Sequence, residues 1–286
     1  MLAALSGDEQ CIIFSQLCNV LDPGVAVGYG STNSELRALT QALQQQLRAD
    51  HAAAAALGRK AGMQSCKELR EAKAVHWEHK CLSAADLTTL STLCSLLPAL
   101  DKLHLYEPTA GPDGVQRLMA GLGAGALPAV THLALGNMYM GDAGASALAA
   151  ALGRGALPRL KLLELSDAAI GDAGLVALAP ALRRLPALEY LTLVDNPLGD
   201  KGLAALVAPP PAAGALPPPA GVLTKLRLLF LHDTQVTDAG CAALAAALDS
   251  GVLPALEKVY LYGSPASDAA QAAVHEALAR RAAVLS

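Results

Sequence analysis

The chain has 286 residues with 21 basic and 25 acidic side chains, a formal net charge of −4, and 53% hydrophobic residues against only 3% aromatic. No stretch gathers Lys and Arg, which argues against nucleic acid as a partner because phosphate contacts need clustered cations. Apolar runs such as 52–57 fall far short of the ~20 residues that cross a bilayer, and Met1–Gln10 has no basic flank and meets Asp8 and Glu9 too early for a secretory signal. The expectation is a chain with no membrane partner in a reducing compartment, the cytoplasm, with the nucleus as the alternative. Six cysteines at irregular spacing, with no C-x-x-C, read as small buried apolar residues. His76, His79 and Cys81 lack a fourth ligand, so neither a metal nor a cofactor is expected.

Residues 1–66 read as a helical N-terminal region. An acidic start, Leu5-Ser6-Gly7-Asp8-Glu9, is followed by Ile12, Ile13, Phe14, Leu17, Leu21, Asp22 and Pro23. Thr32-x-x-Glu35 has the form of a capping box, ahead of Leu36, Leu39, Leu43 and Leu47 on one helical face. Asp50 then opens a short alanine-rich segment ending near Gly58. One role for this region is to cover the first unit of the array that follows. The other comes from a resemblance: 1–45 is similar to a degenerate F-box, the helical module with which ubiquitin-ligase substrate receptors hold a Skp-family adaptor. That resemblance implies adaptor binding through Ile12, Ile13, Phe14, Leu17, Leu21 and Pro23.

From residue 67 onward the chain repeats itself. A unit L-x-x-L-x-L starts at Leu69 in degenerate form, then at Leu100, Val130, Leu160, Leu188, Leu226 and Leu256. Eighteen residues after each start stands Leu87, Leu118, Leu148, Leu178, Leu206, Leu244 or Val274. In five units Leu122, Leu152, Leu182, Leu248 and Leu278 follow one helical turn later, on the same face. G-D-x-G stands between strand and helix at 141–144, 171–174 and 199–202, with Thr237–Gly240 a variant. Its Asp is expected to accept from the first free amides of its own helix. Leu-Pro pairs at 97–98, 127–128, 157–158, 185–186 and 253–254 precede the next strand, where proline is tolerated.

One strand plus one helix cannot bury its own leucines, so the units must stack. The segment 185–202, LPALEYLTLVDNPLGDKG, resembles a ribonuclease-inhibitor-like leucine-rich repeat, with Asn196 where that family turns out of the strand. The resemblance implies an α/β leucine-rich-repeat solenoid, a curved parallel sheet inside and helices outside, of about seven repeats over 67–286. Other units carry Pro108, Met138, Ala168, Thr234 and Ser264 at the Asn position. Their backbone groups are expected to be served by the neighbouring Asn137, Asp167 and Asp233. A Pro-rich insertion at 208–221 lengthens one unit to 38 residues and reads as a tolerated loop.

Side chains alternate across a strand, so residues between the leucines face the concave side. Tyr190, Phe230, His232, Tyr260 and Tyr262 crowd the last three strands and form the main candidate surface, since aromatics anchor interfaces. Glu107, Asp167, Asp195 and Asp233 form an acidic line just past the strands, suited to a basic segment or else to capping the turn. No nucleophile with its base is evident, and Gly121-x-Gly123-x-Gly125 follows a helix and not a strand. The expectation is a non-catalytic protein-binding scaffold. Its alternatives are a substrate receptor of a cullin-RING ubiquitin ligase and an inhibitor of a partner enzyme.

Overall fold

A computed structural model describes residues 7–32, 34–208 and 223–285; the Pro-rich insertion lies outside the described residues. Four helices come first: α1 (Gly7–Leu17), α2 (Gly24–Gly30), α3 (Ser34–Lys60) and α4 (Cys66–Glu71). Strand and helix then alternate: β1 (Ala74–Glu78), α5 (Ala84–Leu93), β2 (Lys102–Tyr106), α6 (Gly111–Ala120), β3 (His132–Ala134), α7 (Gly141–Gly153), β4 (Leu162–Glu164) and α8 (Asp172–Leu182). The rest is β5 (Tyr190–Thr192), α9 (Asp200–Val207), β6 (Leu228–Phe230), α10 (Asp238–Asp249), β7 (Lys258–Tyr260) and α11 (Asp268–Leu285).

The seven strands form one parallel sheet in sequence order. Its register lines up Val75, Leu103, Leu133, Leu163, Leu191, Leu229 and Val259 in a single buried row. A second row, Trp77, Leu105, Leu135, Leu165, Leu193, Leu231 and Leu261, lies two residues on and is equally buried. Both rows point to the face that the helices cover, as a period of two requires. The helices stack in the same order, α5 through α11, each on its neighbour. Leu148 with Leu152, Leu178 with Leu182 and Leu244 with Leu248 meet the sheet, while the buried Ala145, Ala179 and Ala247 keep the helices close.

The first unit is framed differently from the sequence expectation. Val75 pairs with Leu103 and Trp77 with Leu105, so the unit starts at Ala72 and not at Leu69. Leu69 instead belongs to α4 and is fully buried. The largest side chain of the core, Trp77, therefore occupies a leucine position, where its ring nitrogen donates to the Leu57 carbonyl at 3.3 Å.

The N-terminal helices share this core: Leu21, Ala54, Leu57 and Leu69 lie in the same cluster as the sheet residues. The alanine-rich segment that follows Asp50 is the last part of one helix, since α3 runs unbroken from Ser34 to Lys60. Of its expected stripe, Leu47 faces inward but Leu39 and Leu43 are 45% and 42% exposed, and Thr40 and Gln44 take the buried positions instead. The 32–35 capping box falls partly outside the described residues; the Thr32 hydroxyl donates to the Tyr29 carbonyl at 2.8 Å.

Candidate functional site

The face of the sheet that carries no helix collects the residues between the two core rows. At its far end Phe230 on β6 pairs in register with Tyr260 on β7. Their rings stack at 4.7 Å, only 7° from parallel. Two residues on, His232 and Tyr262 stack at 4.3 Å and 14°. Phe230 meets His232 edge-on at 6.3 Å, so the two stacks make one surface of four rings. Tyr190 lies on β5 in the row of Leu162 and Leu228, all three half-buried. Tyr262 is 58% exposed, with His232 stacked on its ring. The Nδ1 of His232 is buried without a hydrogen-bond partner.

The acidic line divides. Asp167, Asp195 and Asp233 border one shallow depression together with Asn196, Pro197 and Gln235. Each of these Asp residues has a left-handed backbone, φ 49°, 54° and 56°, as does Asn137 at 52°. Each donates its amide to a carbonyl of the next unit, Asp167 to Val194, Asp195 to His232 and Asp233 to Tyr262. Asp and Asn are the non-glycine residues that best tolerate this conformation, so turn geometry alone accounts for their recurrence.

Glu107 departs from the line altogether. It is 1% exposed, and its carboxylate accepts from the amides of Lys80 and Leu82. Asn196 plays the equivalent part in its own unit, where its Oδ1 accepts from Ala168 and Ile170 and its amide donates to the carbonyls of Leu165, Leu193 and Val194. Glu107 thus substitutes for the asparagine from one position earlier, by virtue of a longer side chain, because Pro108 has no side-chain donor or acceptor. Thr234 and Ser264 bond through their own hydroxyls to the carbonyls of Leu231 and Leu261. Asp167 and Asp233, expected to serve these turns through their side chains, contribute their backbone amides instead. The side-chain oxygen of Asn137 is itself buried and unpartnered.

The helix-start aspartates also act differently from expectation. The Asp172 carboxylate accepts from Gly199 and Gly202 of the following unit, both at 2.8 Å. Asp142 accepts from Gly171, Asp200 from the Thr237 amide and hydroxyl, and Asp238 from those of Ser267. The glycine of the next unit is required because a Cβ at Gly202 or Gly240 would press against this carboxylate. G-D-x-G is therefore a bond between units as well as a helix start. Partial burial pushes the Asp200 carboxyl up, but the Thr237 and Gly240 hydrogen bonds outweigh it and hold it below its ordinary value.

At the near end the middle strands offer small residues for a reason. The Tyr106 ring from β2 lies over Gly136, where a Cβ would strike it. Burial and a hydrogen bond to Glu164 push its phenol up. His76 and His104 face each other on β1 and β2, with centroids 4.5 Å apart. Burial and the neighbouring His76 hold the His104 imidazole below its usual value.

Two units give direct sequence matches: a leucine rich repeat family model matches residues 158–179 and 185–207. With the seven-stranded parallel order and the repeated register, this decides the architecture. The fold is a leucine-rich-repeat solenoid. Among solved structures, the solenoid is similar to the actin-binding site 2 of leiomodin-1 at 14% identity and a TM-score of 0.39, covering 70% of this chain and 88% of that one. It is also similar to a pollen receptor kinase 3, at 16% identity and a TM-score of 0.34, covering 68% and 75%. No curated protein matches its sequence. No described helix of the solenoid is long and apolar enough to cross a membrane.

Of the residues expected to hold an adaptor, Phe14 and Leu21 are buried, at 0% and 5% exposure. Phe14 packs with Ala26 and Leu47 in a small separate cluster, and Leu21 joins the main core. Ile13, Leu17 and Pro23 are half-buried, and Ile12 is 58% exposed.

Proposed function

We propose that this solenoid is a protein-binding scaffold whose uncovered sheet face takes a protein partner at Tyr190, Phe230, His232, Tyr260 and Tyr262. The observation that carries this reading is the four-ring surface, held in place by strand register, with Tyr262 exposed and Phe230, His232 and Tyr260 half-buried. Rigid aromatics give large contact area at small entropic cost. Asp167, Asp195 and Asp233 supply a negative rim beside it, suited to a basic segment of the partner. The reading assigns no catalytic residue. It also places the units in the ribonuclease-inhibitor-like subtype, whose long repeats carry a full helix, and treats α1 to α4 as the cover of the first unit.

The test is photo-crosslinking from Tyr262, replaced by a crosslinking amino acid, against the same substitution at an exposed helix position such as Val176. The reading requires a partner captured from the sheet face alone, with affinity reduced at least ~tenfold by Phe230→Ala. Equal capture from both faces would reject it.

A second reading rests on exposed Ile12, with Ile13, Leu17 and Pro23 beside it: adaptor binding in a ubiquitin ligase. Phe14 and Leu21 would support that surface from beneath and not touch the adaptor. Its measurement is binding of a purified Skp-family adaptor to the whole chain and to Ile12→Asp; no binding to either removes this reading.

A further inference from the structure

The near end of the open face carries a donor set of its own. His76 pairs in register with His104 on the adjacent strand, and Glu78 follows His76 by two residues, so all three point to the same side. His76 Nδ1 stands 3.9 Å from Glu78 Oε1. One ligand atom from each of the three can be chosen so that all lie within 4.8 Å of one another. Beneath them Val75, Trp77, Leu103 and Leu105 are buried to 1% or less, so the strands that carry the donors are fixed by the core.

We propose that His76, Glu78 and His104 form a binding site for one divalent transition-metal ion of the zinc, copper or nickel type. Two imidazoles and one carboxylate are a nitrogen-rich set, which favours these ions over calcium and magnesium, whose ligands are oxygens. Ligands around a tetrahedral ion at roughly 2.0–2.1 Å sit about 3.4 Å from each other, so the triad closes by side-chain rotation alone. Rotation is available because the His76 and Glu78 side chains are each 53% exposed. Three protein ligands leave a coordination position directed away from the sheet, open to water or to a carboxylate or imidazole of a bound molecule. The site shares only His76 with the sequence cluster of His76, His79 and Cys81, since His79 and Cys81 follow β1 into left-handed turn conformations at φ 52° and 54°.

Trp77 is the chain's only tryptophan and lies between His76 and Glu78 in sequence, so its emission reports on an ion held there. The experiment titrates the full chain, carrying Cys81→Ser to remove the exposed thiol, with Cu²⁺ while following Trp77 emission. Zn²⁺ calorimetry measures stoichiometry. The expected result is saturable quenching, one ion per chain, and affinity weakened at least ~tenfold by either His76→Gln or His104→Gln. Glu78→Gln weakens it as well, and His132→Gln, on the same face but outside the triad, leaves it unchanged. Thermal unfolding of the metal-free variants at the parent temperature establishes that the fold persists. Absence of saturable binding up to millimolar ion, loss of binding with Cys81→Ser alone, or equal affinity in the His76→Gln/His104→Gln double variant would overturn the proposal.

Discussion

Asn196 makes five hydrogen bonds while only 2% exposed, so removing its amide strands backbone groups of two units at once. Asn196→Ala should lower stability by about 3 kcal/mol or more, read from the urea midpoint, since each buried orphan costs about 1–3 kcal/mol. Ser264→Ala, which removes a single bond to Leu261, should cost about 1 kcal/mol. Comparable losses for the two would show that the cross-unit bonds of Asn196 add nothing. The asparagine was legible from the sequence, but the role of Glu107 was not. An acidic residue one place early looks like part of a surface line, and only its reach back to Lys80 and Leu82 shows it buried.

From α7 onward the elements are joined by the aspartate in the first turn of one helix, Asp142, Asp172, Asp200 or Asp238, and the amide that opens the next, at Gly171, Gly199, Thr237 or Ser267. Gly240→Ala would push a methyl group against the Asp200 carboxylate, and should destabilise by about 1–3 kcal/mol in thermal or urea unfolding. The same carboxylate gives a pH signature. Its value in the folded chain lies below the ordinary 3.8, so its contribution is fully present above that value and is lost as pH falls through the folded one. The thermal midpoint of Asp200→Asn should lie below that of the parent at pH 7, and the gap should close toward pH 3. A gap independent of pH would assign the effect to shape and not to charge. Repeat spacing announced these residues, yet local capping and bonding to the next unit leave the same G-D-x-G pattern. The choice between them depends on which backbone amides the stacking brings within 3 Å.

At the scale of the whole molecule, α3, α4 and the turn at Leu21 share one core with the sheet, while Phe14 and Ala26 of α1 and α2 close a smaller cluster on Leu47. Deleting residues 1–60 removes Leu21, Ala54 and Leu57 from it and the carbonyl that Trp77 bonds. The expected outcome is a lower unfolding temperature and red-shifted Trp77 emission; unchanged values would refute the covering role. Tyr262→Ala, by contrast, should lower stability by no more than about 1 kcal/mol, because the ring is largely solvent-exposed and loses only its stack on His232, so a larger loss of partner affinity in that variant reads out binding. The order of residues alone dictates the number and succession of the strands, the alternation that separates core from open face, and the crowding of aromatics near the last strands. A two-residue period and a fixed repeat are local properties, and neighbouring parallel strands inherit them directly. Packing in three dimensions was needed to set the frame of the first unit, the buried place of Glu107, the outward turn of Leu39 and Leu43, and the meeting of His76, Glu78 and His104. Each of these depends on register between segments about 25 or more residues apart or on which face a neighbour covers, and no window along the chain contains that information.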